Sequence, residues 1–248
     1  MRVIAFHNLK GGVGKTAAAV NTAYLASQAG ISTLLWDLDP QGAASWLLSD
    51  DEEPDARKLG QLVKGKSPIG SFIRSTPFPK LDLIPAHHSF RNIDIKLDDA
   101  DNDRMLKQWL KPLSEETSLV VLDCPPSLSR LAEQILRTAD GIFVPLIPTW
   151  LSLNSWEQLT AFAKDRKIKT NRLHPFFSMV DRRKSLHRDL VANKDLHLPE
   201  GMHTTIPNAS AIERMGEERL PVEQVSRRSA AAGAYRDLWS EIQGMIWR

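Results

Sequence analysis

The chain has 248 residues, a formal net charge of +2 at neutral pH and one cysteine, Cys124. That length suits one α/β domain with a well-buried core, and a lone cysteine excludes both an internal disulfide framework and a multi-cysteine zinc site. The near balance of charge does not announce a nucleic-acid binder, although a sequence pI of 8.7 leaves room for local basic patches.

No stretch approaches the roughly 18 consecutive apolar residues of a membrane-spanning helix. The N-terminus runs straight into a strand, leaving no room for a signal peptide, and a cytoplasmic protein is expected.

The first element is a short apolar strand over 3–6. A loop follows, Lys10-Gly11-Gly12-Val13-Gly14-Lys15-Thr16, and then a helix over 17–29. Strand, glycine loop and helix in that order make a phosphate-binding site. Glycines let the backbone curl so that several N–H groups converge on one anion, and the helix N-terminus adds partial positive charge. Lys15 can reach the β- and γ-phosphates and the Thr16 hydroxyl can hold Mg²⁺. The ordinary pattern G-x-x-x-x-G-K-[ST] would place its first glycine where Leu9 stands. Here the glycines sit at 11 and 12, and a second lysine, Lys10, opens the loop.

A second strand over 33–36 ends in Asp37-Leu38-Asp39-Pro40-Gln41-Gly42. A continuous apolar run ending in an acid is how a buried parallel strand delivers a carboxylate to the ligand-binding edge of a sheet. The segment 49–80 is polar, with prolines at 54, 68, 77 and 79, and predicts loops and short helices such as 58–63. A strand over 81–85 precedes His87 and His88. Neighbouring side chains on an extended chain point to opposite faces, so this pair is a poor metal site.

Apolar residues at 105, 106, 109, 110 and 113 predict an amphipathic helix over 103–113. A buried strand over 119–122 then delivers Asp123, the expected partner of Thr16 around Mg²⁺, with Cys124 beside it as a small buried residue. A helix over 127–138, a strand over 141–145, a helix over 151–165 and a strand over 175–180 follow. The segment 205–208 is extended, and a helix over 229–247 closes the chain. Its apolar stripe, Tyr235, Leu238, Trp239, Ile242, Met245 and Ile246, is expected to pack on the protein's own core. The alternation predicts an α/β fold with a doubly wound, mostly parallel sheet and helices on both faces, in a single domain over 1–248 without an N-terminal helix-turn-helix domain.

The KGGVGKT loop, the DLDPQG segment, the acid-ended strand at 119–123, the ADGIFVPL strand at 139–146, the D-x-R turn at 181–183 and the IPN segment at 206–208 together resemble the ParA/MinD family of deviant Walker A P-loop ATPases, and within it the short Soj-like ParA class. The resemblance spans nearly the whole chain. It implies ATP and Mg²⁺ as cofactors. Gly11, Gly12, Val13, Gly14, Lys15, Thr16 and Ala17 would cradle the phosphates, Thr16 and Asp123 would hold the metal, and Pro207 and Asn208 would lie against the adenine. Asp39 would orient the attacking water with Asp37 in support, and Lys10 would cross a dimer interface to the other subunit's nucleotide. It further implies an ATP-bound homodimer and slow hydrolysis stimulated by a ParB-like or adaptor protein. Nonspecific binding to the nucleoid would run through Arg182, Arg183, Lys184, Arg227 and Arg228.

Two positions depart from the family pattern: Ala43 replaces an asparagine after the DLDPQG glycine, and Ala211 replaces an arginine used for DNA. The alternatives are a MinD-like membrane-associated positioning ATPase and an accessory ATPase acting on a protein partner, as in cellulose synthesis. The lone cysteine argues against nitrogenase iron-protein relatives, DLDPQG and Lys10 against dethiobiotin synthetase-like ligases, and the presence of only two tyrosines against the superfamily's tyrosine kinases.

Overall fold

The computed structural model describes residues 1–49, 61–62, 66–86, 102 and 104–247. The expected helix over 58–63, apart from Gln61 and the buried Leu62, and the pair His87 and His88 lie outside the described residues.

Eight strands form one sheet: β1 (Arg2–Phe6), β2 (Thr33–Asp37), β3 (Arg74–Ser75), β4 (Leu81–Ile84), β5 (Leu119–Asp123), β6 (Gly141–Leu146), β7 (Leu173–Val180) and β8 (Thr205–Pro207). Their spatial order is β3-β4-β2-β5-β1-β6-β7-β8. All neighbouring pairs are parallel except the two-residue β3, which runs antiparallel to β4. The chain leaves β1 toward β2 on one side and later steps outward through β6, β7 and β8 on the other. Such a reversal opens a crevice at the C-terminal ends of the central strands.

Each central strand is apolar on both faces because both faces are covered. Val3 and Ala5 of β1 join Leu34, Trp36, Val120 and Leu122 in one core layer. That layer packs under helices α3 (Met105–Leu110), α4 (Arg130–Thr138) and α5 (Trp150–Asp165). Ile4 and Phe6, one residue out of phase, join Leu35 and Val121 in the opposite layer, under α1 (Lys15–Gln28) and the terminal helix Ala230–Ile246. The period of two along each strand thus sorts one sequence into two cores.

Two expected helices are shorter than their apolar patterns. The helix expected over 103–113 is α-helical only through Leu110 and tightens into a 3₁₀ turn over Lys111–Glu115. Pro112 lacks the N–H that another α-turn needs. The helix expected from 127 begins at Arg130, because Ser129 adopts an extended backbone and its hydroxyl accepts the Ala132 N–H. The terminal helix matches its expected span, with Ser229 as its cap. Tyr235, Leu238, Trp239, Ile242 and Ile246 are all buried, so the stripe is core and not a surface for lipid.

Candidate nucleotide-binding site

The loop after β1 owes its shape to two glycines with left-handed backbones, Gly12 at φ 70° and Gly14 at φ 92°. Gly14 is also in close quarters: a Cβ there would lie 2.8 Å from the Ser178 hydroxyl of β7. Asn8, a residue the sequence reading passed over, anchors the start of the loop. Its amide donates to the Pro145 carbonyl at 2.6 Å, and its carbonyl oxygen accepts the Lys10 N–H at 3.0 Å. The Ser155 hydroxyl of α5, which donates to the Ser152 carbonyl at 2.7 Å, lies 3.4 Å from the same oxygen. A lone buried asparagine beside a glycine loop is the signal that could have marked it, since a buried amide must find several partners.

Lys15 is buried, and its ammonium donates to the Lys10 carbonyl at 2.9 Å, closing the loop on itself. Burial lowers its pKa, partly offset by the neighbouring Asp123 and Asp39 carboxylates. Lys10 is half-buried and does not line the cavity described below. Among the described residues its ammonium has no carboxylate partner.

Three acids converge on the same edge, each in a different state. Asp37 is fully buried and fully engaged. It accepts the Asp39 N–H at 3.2 Å, the Ser45 N–H at 2.8 Å and the Ser45 hydroxyl at 2.7 Å. The carboxylate therefore anchors the first turn of α2 (Ala43–Leu48), while burial pushes its pKa up to about 6. Asp39 is partly exposed and faces the cavity.

Asp123 is fully buried, and neither carboxylate oxygen has a hydrogen bond of normal geometry among the described residues. The Thr16 hydroxyl lies close enough to draw its pKa down. Burial and the neighbouring charge of Asp37 push harder, and the net shift is strongly upward. Two orphaned carboxylate oxygens beside a hydroxyl are hard oxygen donors that a small divalent cation would satisfy, so Thr16 and Asp123 fit Mg²⁺. Cys124 is buried, its thiol pKa raised by burial, and has no exposed thiolate character.

A cavity of about 680 Å³ opens over the loop, within the range of ligand pockets. Gly11, Gly12, Gly14, Lys15, Thr16 and Ala17 form one end, and Pro207, Asn208, Ile212 and Tyr235 the other. Between them stand Asp39 and the pair Ser178 and Met179. Met179 has φ 56°, at a break in the β7–β8 register between Phe177 and Val180. A bulge of this kind re-aims a strand end next to a site. The Asn208 N–H closes the other wall by donating to the Val180 carbonyl at 2.9 Å. Val13, expected among the phosphate-cradling residues, is buried and does not line the cavity.

The basic residues expected to meet DNA come from two segments, the turn after β7 and the turn before the terminal helix. Arg182, Arg183 and Lys184 are exposed in the turn before α6 (Ser185–Ala192), at the C-terminal end of β7. Arg183 is held by Asp181 in a bidentate pair, both contacts at 2.9 Å, and the guanidinium holds that carboxyl's pKa down to about 2. Arg166, Lys167, Lys169 and Arg172 precede β7. Its eight residues separate the two groups by about 26 Å at the usual strand rise. Arg227 pairs with Glu223 at 3.2 Å, a carboxylate it shares with Arg236, while Arg228 is exposed without an acidic partner among the described residues. Ala211 is buried against the core layer of α1.

A protein-family model described as an AAA domain matches residues 1–174. The chromosome-partitioning ATPase Soj of Treponema pallidum is 32% identical over 252 residues, covering 97% of this chain and 96% of that protein. Among solved structures, a Cyanothece McdA variant in complex with ATP superposes with a TM-score of 0.83 at 19% identity, over 100% of this chain and 96% of that one. Cobyrinic acid a,c-diamide synthase from Mycobacterium smegmatis, with bound ATP analogue and magnesium, gives a TM-score of 0.83 at 25% identity, over 100% of this chain and 97% of that one.

Proposed function

The chain belongs to the ParA/MinD family of P-loop ATPases, in its Soj-like ParA class, and from that premise we propose that it is an ATP-driven dimerising switch that positions a cargo by binding nonspecific DNA. The observation that carries the reading is the orphaned Asp123 carboxylate next to Thr16 and Lys15, which line a nucleotide-sized cavity. The reaction is transfer of the γ-phosphoryl group of ATP to water, giving ADP and phosphate.

Lys15 exchanges its contact with the Lys10 carbonyl for the phosphates, and the loop amides hold their remaining oxygens. Thr16 and Asp123 would hold Mg²⁺, which when bound would supply positive charge to offset that of the phosphates. Asp39 orients the attacking water from the cavity wall. Asp37 holds the Asp39 N–H and the first turn of α2, and so keeps Asp39 in place. Pro207 and Asn208 meet the adenine.

Lys10 acts in trans. Its half-buried ammonium has no acidic partner in its own chain among the described residues and stands off its own cavity, which supports a role at a second copy's nucleotide. Hydrolysis then waits on dimerisation and is slow until a ParB-like or adaptor protein stimulates it. Arg182, Arg183, Lys184, Arg227 and Arg228 meet the DNA backbone, and the protein works in the cytoplasm on the nucleoid. The burial of the terminal apolar stripe weighs against the membrane alternative.

The test measures binding to nonspecific duplex DNA with ATP, ADP or no nucleotide across a salt series, together with the sedimentation of Lys10→Ala. ATP-dependent, salt-sensitive binding that is lost in the combined variant R182Q/R183Q/K184Q is the expected result. Nucleotide-driven dimers that persist in Lys10→Ala would remove the role in trans. DNA binding indifferent to nucleotide would remove the switch.

A further inference from the structure

A second cavity, of about 480 Å³, lies at the opposite edge of the sheet, where β6 and β7 begin. Six cationic side chains line it: Arg104, Lys107, Arg137, Lys167, Lys169 and Arg172. No carboxylate is among its lining residues. Two of the six are engaged elsewhere. Arg137 donates to the buried Glu133 carboxylate at 2.7 and 3.1 Å, and Arg172 donates to the Ala139 carbonyl at 3.2 Å. The side chains of the other four have no hydrogen bond or ion pair among the described residues.

Helix dipoles explain only part of this charge. Lys167 follows the C-terminus of α5, where a cation is favoured. Arg104 sits at the N-terminal cap of α3, where a cation is disfavoured. Beyond the Arg137–Glu133 pair, like charges gathered in a concavity whose lining holds no carboxylate are unfavourable unless an anion joins them.

We propose that this cavity binds a compact anion carrying two or more phosphate groups, separately from the nucleotide cleft and independently of the ATPase reading. Lysine and arginine together match phosphate oxygens, lysine as a point charge and arginine as a bidentate fork. The concave shape between three chain connections selects a small anion over a duplex, which would rest on the rim.

The experiment is a calorimetric titration of inorganic tripolyphosphate into the full chain with its nucleotide cleft saturated by ADP. The expected result is one saturable equivalent whose Kd rises by about tenfold or more in K107Q/K169Q, since charge-assisted contacts are lost. The same Kd should be unchanged in R182Q/K184Q, and melting temperatures would confirm that both variants fold. No saturable binding, or binding indifferent to K107Q/K169Q, would overturn the proposal. Loss of duplex DNA binding in K107Q/K169Q, with no tripolyphosphate site, would also overturn it and assign this edge to nucleic acid.

Discussion

The Ser178 hydroxyl stands where a side chain at position 14 would have to begin: a Cβ on Gly14 would meet it at 2.8 Å. A hydroxyl can rotate away, and the Ser178 Cβ itself would be 4.0 Å off, so the contact alone does not forbid alanine. The backbone does more, because φ 92° at Gly14 is a conformation that L-residues reach at a cost of about 1–2 kcal/mol. Gly14→Ala should therefore lower stability by about that amount and abolish binding of a fluorescent ATP analogue. Ser178→Ala in the same chain should restore neither. Full rescue by Ser178→Ala would show that the side-chain contact, not the backbone, requires the glycine.

The glycines at 12 and 14 were legible because they report a backbone need that few residues can meet. Strands β1, β2, β5 and β6 were legible for a related reason: burial on both faces leaves an unbroken apolar run. Asn8 was not, because its partners, Pro145 and Ser155, are far away in the sequence. Helices such as α6 were passed over because only His187 and Leu190 are buried along its eight residues, too few to set a period. The acids at 37, 39 and 123 were legible as a group, but their division of labour was not. Only the fold shows that Ser45 satisfies Asp37 while Asp123, beside the Thr16 hydroxyl, has no hydrogen bond of normal geometry among the described residues. The basic residues on either side of β7 are close along the sequence, and nothing in the strand's own residues tells that it carries them to opposite edges of the sheet.

Ser45 connects three segments. Its N–H and hydroxyl both donate to Asp37, and its oxygen accepts the Ala86 N–H at 2.7 Å. Ser45→Ala would leave Asp37 with one fewer donor and the Ala86 N–H without its acceptor. Stability should fall by about 1–3 kcal/mol, the usual cost of stranding buried polar groups. Urea unfolding would read this directly. If Asp39 depends on that anchored turn, the hydrolysis rate should fall while ATP affinity changes little. An unchanged rate would separate Asp37 and Ser45 from catalysis.

His7 gives the protein a pH-dependent stability that can be isolated. It is fully buried, its Nδ1 has no hydrogen-bond partner among the described residues, and burial lowers its pKa from 6.5 to about 4. The unfolded chain takes up the proton near pH 6.5 and the folded one does not, so this contribution is complete above that pH. It is lost progressively as pH falls toward 4, by roughly 3 kcal/mol in all. Asp37 works in the opposite sense, since its raised pKa favours the folded state at low pH. The comparison of wild type with His7→Gln cancels that opposing effect. Unfolding midpoints should diverge with pH between 4 and 6.5 and run parallel above about 7. Parallel behaviour throughout would show that the buried imidazole titrates in the folded state as it does in the unfolded chain.

Asp123 should reveal itself by making the empty protein less stable than it could be. A buried carboxylate with two unpartnered oxygens, facing Asp37 across the β2–β5 pair, is a strained arrangement in the absence of a cation. Asp123→Asn keeps the shape and removes the charge. Without nucleotide or metal it should raise stability by about 1–3 kcal/mol, the scale of an uncompensated buried polar group. With ATP present, wild type should gain further stability when Mg²⁺ is added and the variant should not, because the oxygens that would engage the metal are no longer charged. The two effects have opposite signs, which a general packing defect cannot reproduce. A variant that is less stable when empty and still responds to Mg²⁺ would mean that Asp123 is a structural core residue and that the metal is held elsewhere.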